Sequence, residues 1–119
     1  HYGKLLDINS AFSVDMVVSD ALKMNIGHRT DPSDEVEPEI IIVSDNIVAN
    51  DAVAVALMRY YKTVRVVDMP TKEHEQFSHA KRLRLGSPNL KDIQLKTLNL
   101  TGNKVFAGLV QYIEAELGD

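Results

Sequence analysis

Four consecutive β-branched residues, Ile40-Ile41-Ile42-Val43, constrain this chain more than any other feature. Such a run reads as a strand buried on both faces, as in the middle of a parallel sheet. Residues 49–61 (ANDAVAVALMRYY) follow and are apolar nearly all round. Their Ala, Leu and Met content favours helix over a second strand. Residues 63–68 (TVRVVD) then read as a strand stopped by Pro70. A strand, a helix and a strand in so short a span imply a parallel, right-handed crossover. The expectation is a three-layer α/β sandwich with a mainly parallel sheet of about four strands, on the layer rules for alternating elements. In it, strands 40–44 and 63–67 are neighbours.

The flanking segments fit this frame. Residues 4–8 (KLLDI) predict a short strand. Val14, Val17, Val18, Ala21 and Leu22 recur at helical spacing and predict a helix over 13–25, capped by Ser13 and ended near Gly27. Residues 27–38 hold two prolines in an acidic stretch and predict an exposed loop. A helix over 71–85 ends at Gly86, SPN (87–89) turns, residues 92–100 alternate as an edge strand, and residues 103–117 form a last amphipathic helix. At 119 residues the chain is one domain, 1–119. It opens on His1 rather than Met, so a strand ahead of the first one is kept in mind. The absence of cysteine excludes disulfides, thiolate metal sites and cysteine nucleophiles, and fits a cytoplasmic protein. No apolar run approaches the roughly 20 residues of a membrane span.

Charge is unevenly spread. Residues 1–58 carry three Lys/Arg against ten Asp/Glu, whereas residues 59–104 carry ten against four. An acidic region beside a basic one suits a metal site flanked by a phosphate-binding surface. Asp7, Asp45 and Asp68 fall where predicted strands end, the edge at which open α/β sheets bind ligands. Gathered carboxylates suit a hard divalent cation such as Mg²⁺ or Mn²⁺. Asp45 also stands where a helix N-cap belongs. Lys81, Arg82 and Arg84 are the candidate phosphate contacts; Lys and Arg at a helix end equally suit the helix dipole.

The stretch Val14-Asp15-Met16-Val17-Val18-Ser19-Asp20-Ala21-Leu22, an acidic loop, and then Ile40-Ile41-Ile42-Val43-Ser44-Asp45 resembles NYN domains, relatives of PIN ribonucleases. The likeness runs over roughly residues 14–85 and includes the Val64–Val67 run. It implies a metal-dependent RNA nuclease with Asp15 and Asp45 as catalytic carboxylates. Asp7, Asp15, Asp20 and Asp45 would then be metal ligands. The family's glycine before the strand-end aspartate is replaced here by Ser44, and its second aspartate by Ile47 or Val48. Residues 41–58 and Lys96-Thr97-Leu98-Asn99-Leu100 also resemble sugar phosphotransferase IIB proteins, but no histidine lies between His1 and His28 to accept the phosphoryl group.

The functional expectation is a divalent-metal-dependent nuclease acting on RNA phosphodiesters, with RNA as partner. The alternatives are a non-catalytic α/β interaction and assembly module, binding itself or another protein, and a IIB-like fold without its phosphohistidine.

Overall fold

Ile40–Ser44 is a strand, as its β-branched run requires, but its partner lies upstream in the chain. The computed structural model describes residues 4, 7, 8, 11, 13–28, 31–85 and 89–118. Four strands are named in chain order: β1 (Val17–Ala21), β2 (Met24–Asn25), β3 (Glu35–Val36) and β4 (Ile40–Ser44). Three helices follow, α1 (Ile47–Tyr60), α2 (Glu75–Arg82) and α3 (Phe106–Gly118). Short 3₁₀ turns occupy Pro32–Asp34, Thr71–Glu73 and Leu90–Asp92. β1 pairs antiparallel with β4, Val17 opposite Ser44 through Ala21 opposite Ile40. β2 pairs antiparallel with β3.

The expected parallel four-stranded sheet is therefore incorrect. Among the described residues there are two antiparallel sheets of two strands each. The predicted 13–25 helix is instead β1 and β2. Asp20 ends β1 by turning back on its own backbone, its Oδ1 accepting the Leu22 N–H at 2.8 Å. Such local bonds compete with helix and favour turns. Lys4, Asp7 and Ile8 have helical backbone where a strand was expected; Leu5 and Leu6 lie outside the described residues, as does Gly86. Asp92 closes the 3₁₀ turn, and residues 93–100 join no ladder. Within the expected loop 27–38, Glu35–Val36 forms the second small hairpin.

The 63–67 segment is a series of turns, and its backbone shows why. Lys62 and Arg65 have positive φ, 56° and 74°, which breaks extension on either side of Val64. The carbonyls of Val66, Val67 and Met69 accept from Arg59 Nη1, Val67 at 2.8 Å. A side chain of α1 thus takes the acceptors that a sheet ladder would have used.

The nearly all-apolar helix is the centre of the domain. α1 buries Val48, Ala52, Val53, Val55, Ala56 and Leu57. The β1–β4 hairpin, α2 and α3 pack around it. α3 contributes Leu109, Ile113 and Leu117, and α2 adds Phe77 and Ala80. Ala52 and Ala56 are wholly buried and let neighbouring elements approach closely. Burying one large aliphatic or aromatic side chain is worth about 1.5–3 kcal/mol, so this mixed cluster supplies most of the driving force. No helix among the described residues is long and apolar enough to cross a membrane.

α1 and α2 stop in the same way, and neither stop uses glycine. After α1, the Lys62 N–H reaches the Arg59 carbonyl at 2.9 Å and the Thr63 N–H reaches that of Met58 at 2.9 Å. After α2, the Arg84 N–H reaches the Lys81 carbonyl at 3.1 Å and the Leu85 N–H reaches that of Ala80 at 3.0 Å. Both are Schellman motifs, with Lys62 and Arg84 left-handed at φ 56° each. A side chain there pays a steric penalty that glycine avoids. Lys62→Gly and Arg84→Gly are each expected to raise stability by about 0.5–1 kcal/mol. Urea unfolding checks this, and a loss at either position contradicts the cap assignment.

Candidate functional site

The junction between β4 and α1 opens a cleft of about 590 Å³ against residues 92–96. Ser44, Asp45 and Asn46 line it from the junction, and Asp92, Gln94 and Lys96 from the later segment. Asn46 is the N-cap of α1: its Oδ1 accepts the Val48 N–H at 2.9 Å and the Ala49 N–H at 3.0 Å. The Ser44 hydroxyl accepts the Asn46 N–H at 3.1 Å. The first donors of the helix are thereby satisfied by the protein itself, so this helix start has little need of a bound anion. Asn46, not Asp45, caps the helix.

One turn into α1, Asn50 is 3% exposed. Its Oδ1 accepts from the Ser19 hydroxyl of β1, and its Nδ2 has no protein partner. Asp51 beside it accepts from Gln76 Nε2 at 3.3 Å. Burial pushes the Asp51 carboxyl above its ordinary range, and the Gln76 bond offsets only part of that.

The four predicted metal ligands do not come together. Asp45 is exposed and lines the cleft. Asp20 pairs across the hairpin with Ile41, four residues from Asp45, a distance of about 13 Å along an extended strand. Asp20 is moreover engaged by the Leu22 N–H. Asp15 precedes β1 and is exposed; the antiparallel register places it toward the Asp45 end of the hairpin. Asp7 lies against α2, its Oδ1 3.1 Å from His79 Nε2. Asp68 is exposed in the turns after α1. Among the described residues no group of three or more His, Cys, Asp or Glu is placed to hold a metal ion.

The predicted phosphate trio is exposed at the end of α2. Lys81 and Arg82 occupy the last turn, where a cation suits the helix dipole. Arg82 Nη2 lies 2.8 Å from His79 Nδ1. That bond leaves the His79 Nε2–H to donate to Asp7, so the three side chains form a relay joining Asp7 to α2. Arg84 sits in the left-handed cap.

The second notable surface is the outer face of the β1–β4 hairpin. Pairing directs Val17, Ser19 and Ala21 with Ile40, Ile42 and Ser44 toward α1, and Val18 and Asp20 with Val43 and Ile41 away from it. The outward aliphatics are bare: Val18 is 58% exposed, Ile41 and Val43 each 60%, and Met16 beside them 64%. Sequence reasoning missed this face, since four consecutive aliphatics, Ile40 to Val43, read as a strand with two buried sides. It also missed Asn46 as cap and Asn50 as a buried amide. Asn46 carried a readable signal, a capping residue directly before an apolar run; Asn50 carried none. Comparison with family models, curated proteins and solved structures finds no match.

Proposed function

We propose that this domain is a non-catalytic interaction and assembly module, docking through the outer face of its β1–β4 hairpin. The carrying observation is the row of outward aliphatics, Val18, Ile41 and Val43, on a sheet of only two strands. Contiguous apolar patches of more than a few hundred Å² are rare on soluble monomers and mark interaction sites. Both edges of a two-stranded sheet are also open to further pairing.

The test substitutes a cross-strand pair. Val18→Lys with Val43→Glu places opposite charges at facing positions and is expected to change stability by less than about 0.5 kcal/mol, as for surface sites. It should weaken binding of an apolar-surface dye by the dilute chain. A loss of several kcal/mol, or unchanged dye binding, would overturn the reading.

A second reading, a metal-dependent nuclease of the NYN type acting on RNA, has one feature in its favour: Asp45 and Lys96 both line the cleft. It requires millimolar Mg²⁺ or Mn²⁺ to raise the melting temperature, since an ion bound only by the folded state stabilises it by linkage. Asp45→Asn would remove that rise, and the wild-type chain would cleave single-stranded RNA. The assembly module is expected to show neither effect in calorimetry or a cleavage assay. A metal-dependent rise lost in Asp45→Asn, together with RNA cleavage, would replace the first reading with the second.

A further inference from the structure

The hairpin face has a neighbour of complementary chemistry. Around its aliphatics stand Asp20 on β1 and Glu39 and Asp45 at the two ends of β4, all exposed. Lys23 close by is matched by Glu37 at 3.8 Å. The face is therefore apolar with an acidic rim. Residues 93–105 have the opposite character. They contain no Asp or Glu, carry Lys96 and Lys104, and expose Leu98 by 75%, Leu100 by 84% and Val105 by 57%. That segment is apolar with a basic rim.

The two surfaces flank one groove of about 310 Å³. Ile41 and Val43 line one side, and Lys96, Leu98 and Leu100 the other. Adjacent complementary patches have a simple closed solution. A second copy turned by a two-fold axis lays its basic strip on the acidic face of the first and receives the first copy's strip on its own face. Every patch is then used once, the isologous arrangement in which assembly stops at two. A stable interface of standard size needs about 800 Å² per partner, roughly a tenth of this chain's 8258 Å² surface. Met16, Val18, Ile41, Val43, Leu98, Leu100 and Val105 are each more than half exposed and available to it.

We propose that the partner of the hairpin face is a second copy of this chain, joined reciprocally through residues 96–105. This rests on the assembly reading and names its partner. The whole chain is examined by sedimentation velocity from micromolar to several hundred micromolar. The expected result is a monomer–dimer equilibrium without larger species, weakened by salt because the rim charges are exposed. Lys96→Glu with Lys104→Glu should weaken the dimer at least tenfold, as should Glu39→Lys with Asp45→Lys. Placing all four substitutions in one chain should restore it, because each reversed patch then meets a reversed partner. Simple loss of folding or solubility cannot produce that restoration. A chain that stays monomeric at every concentration while its hairpin face still binds dye overturns self-association and leaves the assembly reading standing. Association that is indifferent to these reversals, or that grows without limit, overturns the reciprocal dimer. A chain that neither associates nor binds dye overturns both.

Discussion

Replacing Arg59 with Met is expected to cost the fold about 2–3 kcal/mol, between the ~1 kcal/mol of a solvated surface pair and the roughly 3–5 kcal/mol of a fully buried one. Arg59 Nε lies 2.8 Å from Glu116 Oε2, with the two side chains 13% and 15% exposed. The same carboxylate oxygen accepts the Thr71 hydroxyl at 2.7 Å and the Thr71 N–H at 3.2 Å. Arg59 also holds the carbonyls of the 66–69 turns. Its loss leaves a partly buried carboxylate short of its cation and unties the turns from α1. The pH dependence provides a second readout. Burial alone would raise the Glu116 carboxyl, but the Thr71 and Arg59 bonds outweigh it and hold it below the ordinary value of 4.5. A carboxylate depressed by folding contributes stability in full above its unfolded pKa, and that contribution is lost as pH falls through the folded one. Glu116→Gln should therefore flatten the acid side of the stability profile below about pH 4.5. Urea unfolding of both variants between pH 3 and 7 measures this. A loss under about 1 kcal/mol in Arg59→Met, the worth of a solvated surface pair, would show that the network is not structural.

Arg59 also explains why part of the fold could not be read in advance. A helix over 49–61, a helix within 71–85 and a helix over 103–117 follow from local composition, and the structure has α1, α2 and α3 there. The Thr63–Val67 run has strong strand propensity, but a guanidinium from the preceding helix captures its carbonyls, a tertiary effect with no local signature. β1 was misread for a different reason. Its inward positions are Val17, Ser19 and Ala21, small or polar, and an outward position is Val18. The period-two pattern is thereby blurred, and the spacing of Val14, Val17, Val18, Ala21 and Leu22 imitates a helix. Ser19 can face inward because Asn50 accepts its hydroxyl proton, a partner 31 residues away. The expected metal cluster depended on that fold. Asp20 and Asp45 converge only if one is on a helix beside a parallel sheet, whereas the hairpin holds them at opposite ends. The charge asymmetry did carry over, as an acidic face beside a basic strip.

The sheet assignment itself leads to the other large effect. Ile41 and Ile42 are adjacent in β4 and identical in chemistry, but Ile42 is 9% exposed against α1 and Ile41 is 60% exposed on the outer face. Ile42→Ala removes packed methyl groups and leaves a cavity, which is expected to cost about 2–5 kcal/mol. Ile41→Ala loses only the preference of a branched side chain for a strand, worth under about 1 kcal/mol. Both are measured by urea denaturation, with the protein dilute enough to be monomeric so that docking does not enter. A central strand of a parallel sheet, covered on both faces, would require several kcal/mol at both positions. Repeating the Ile41→Ala measurement at high protein concentration separates fold from assembly. If the outer face is covered by a partner, the cost of Ile41→Ala should grow with concentration, because burial at that position then belongs to the complex. The cost of Ile42→Ala should depend much less on concentration, since its contacts are made within one chain.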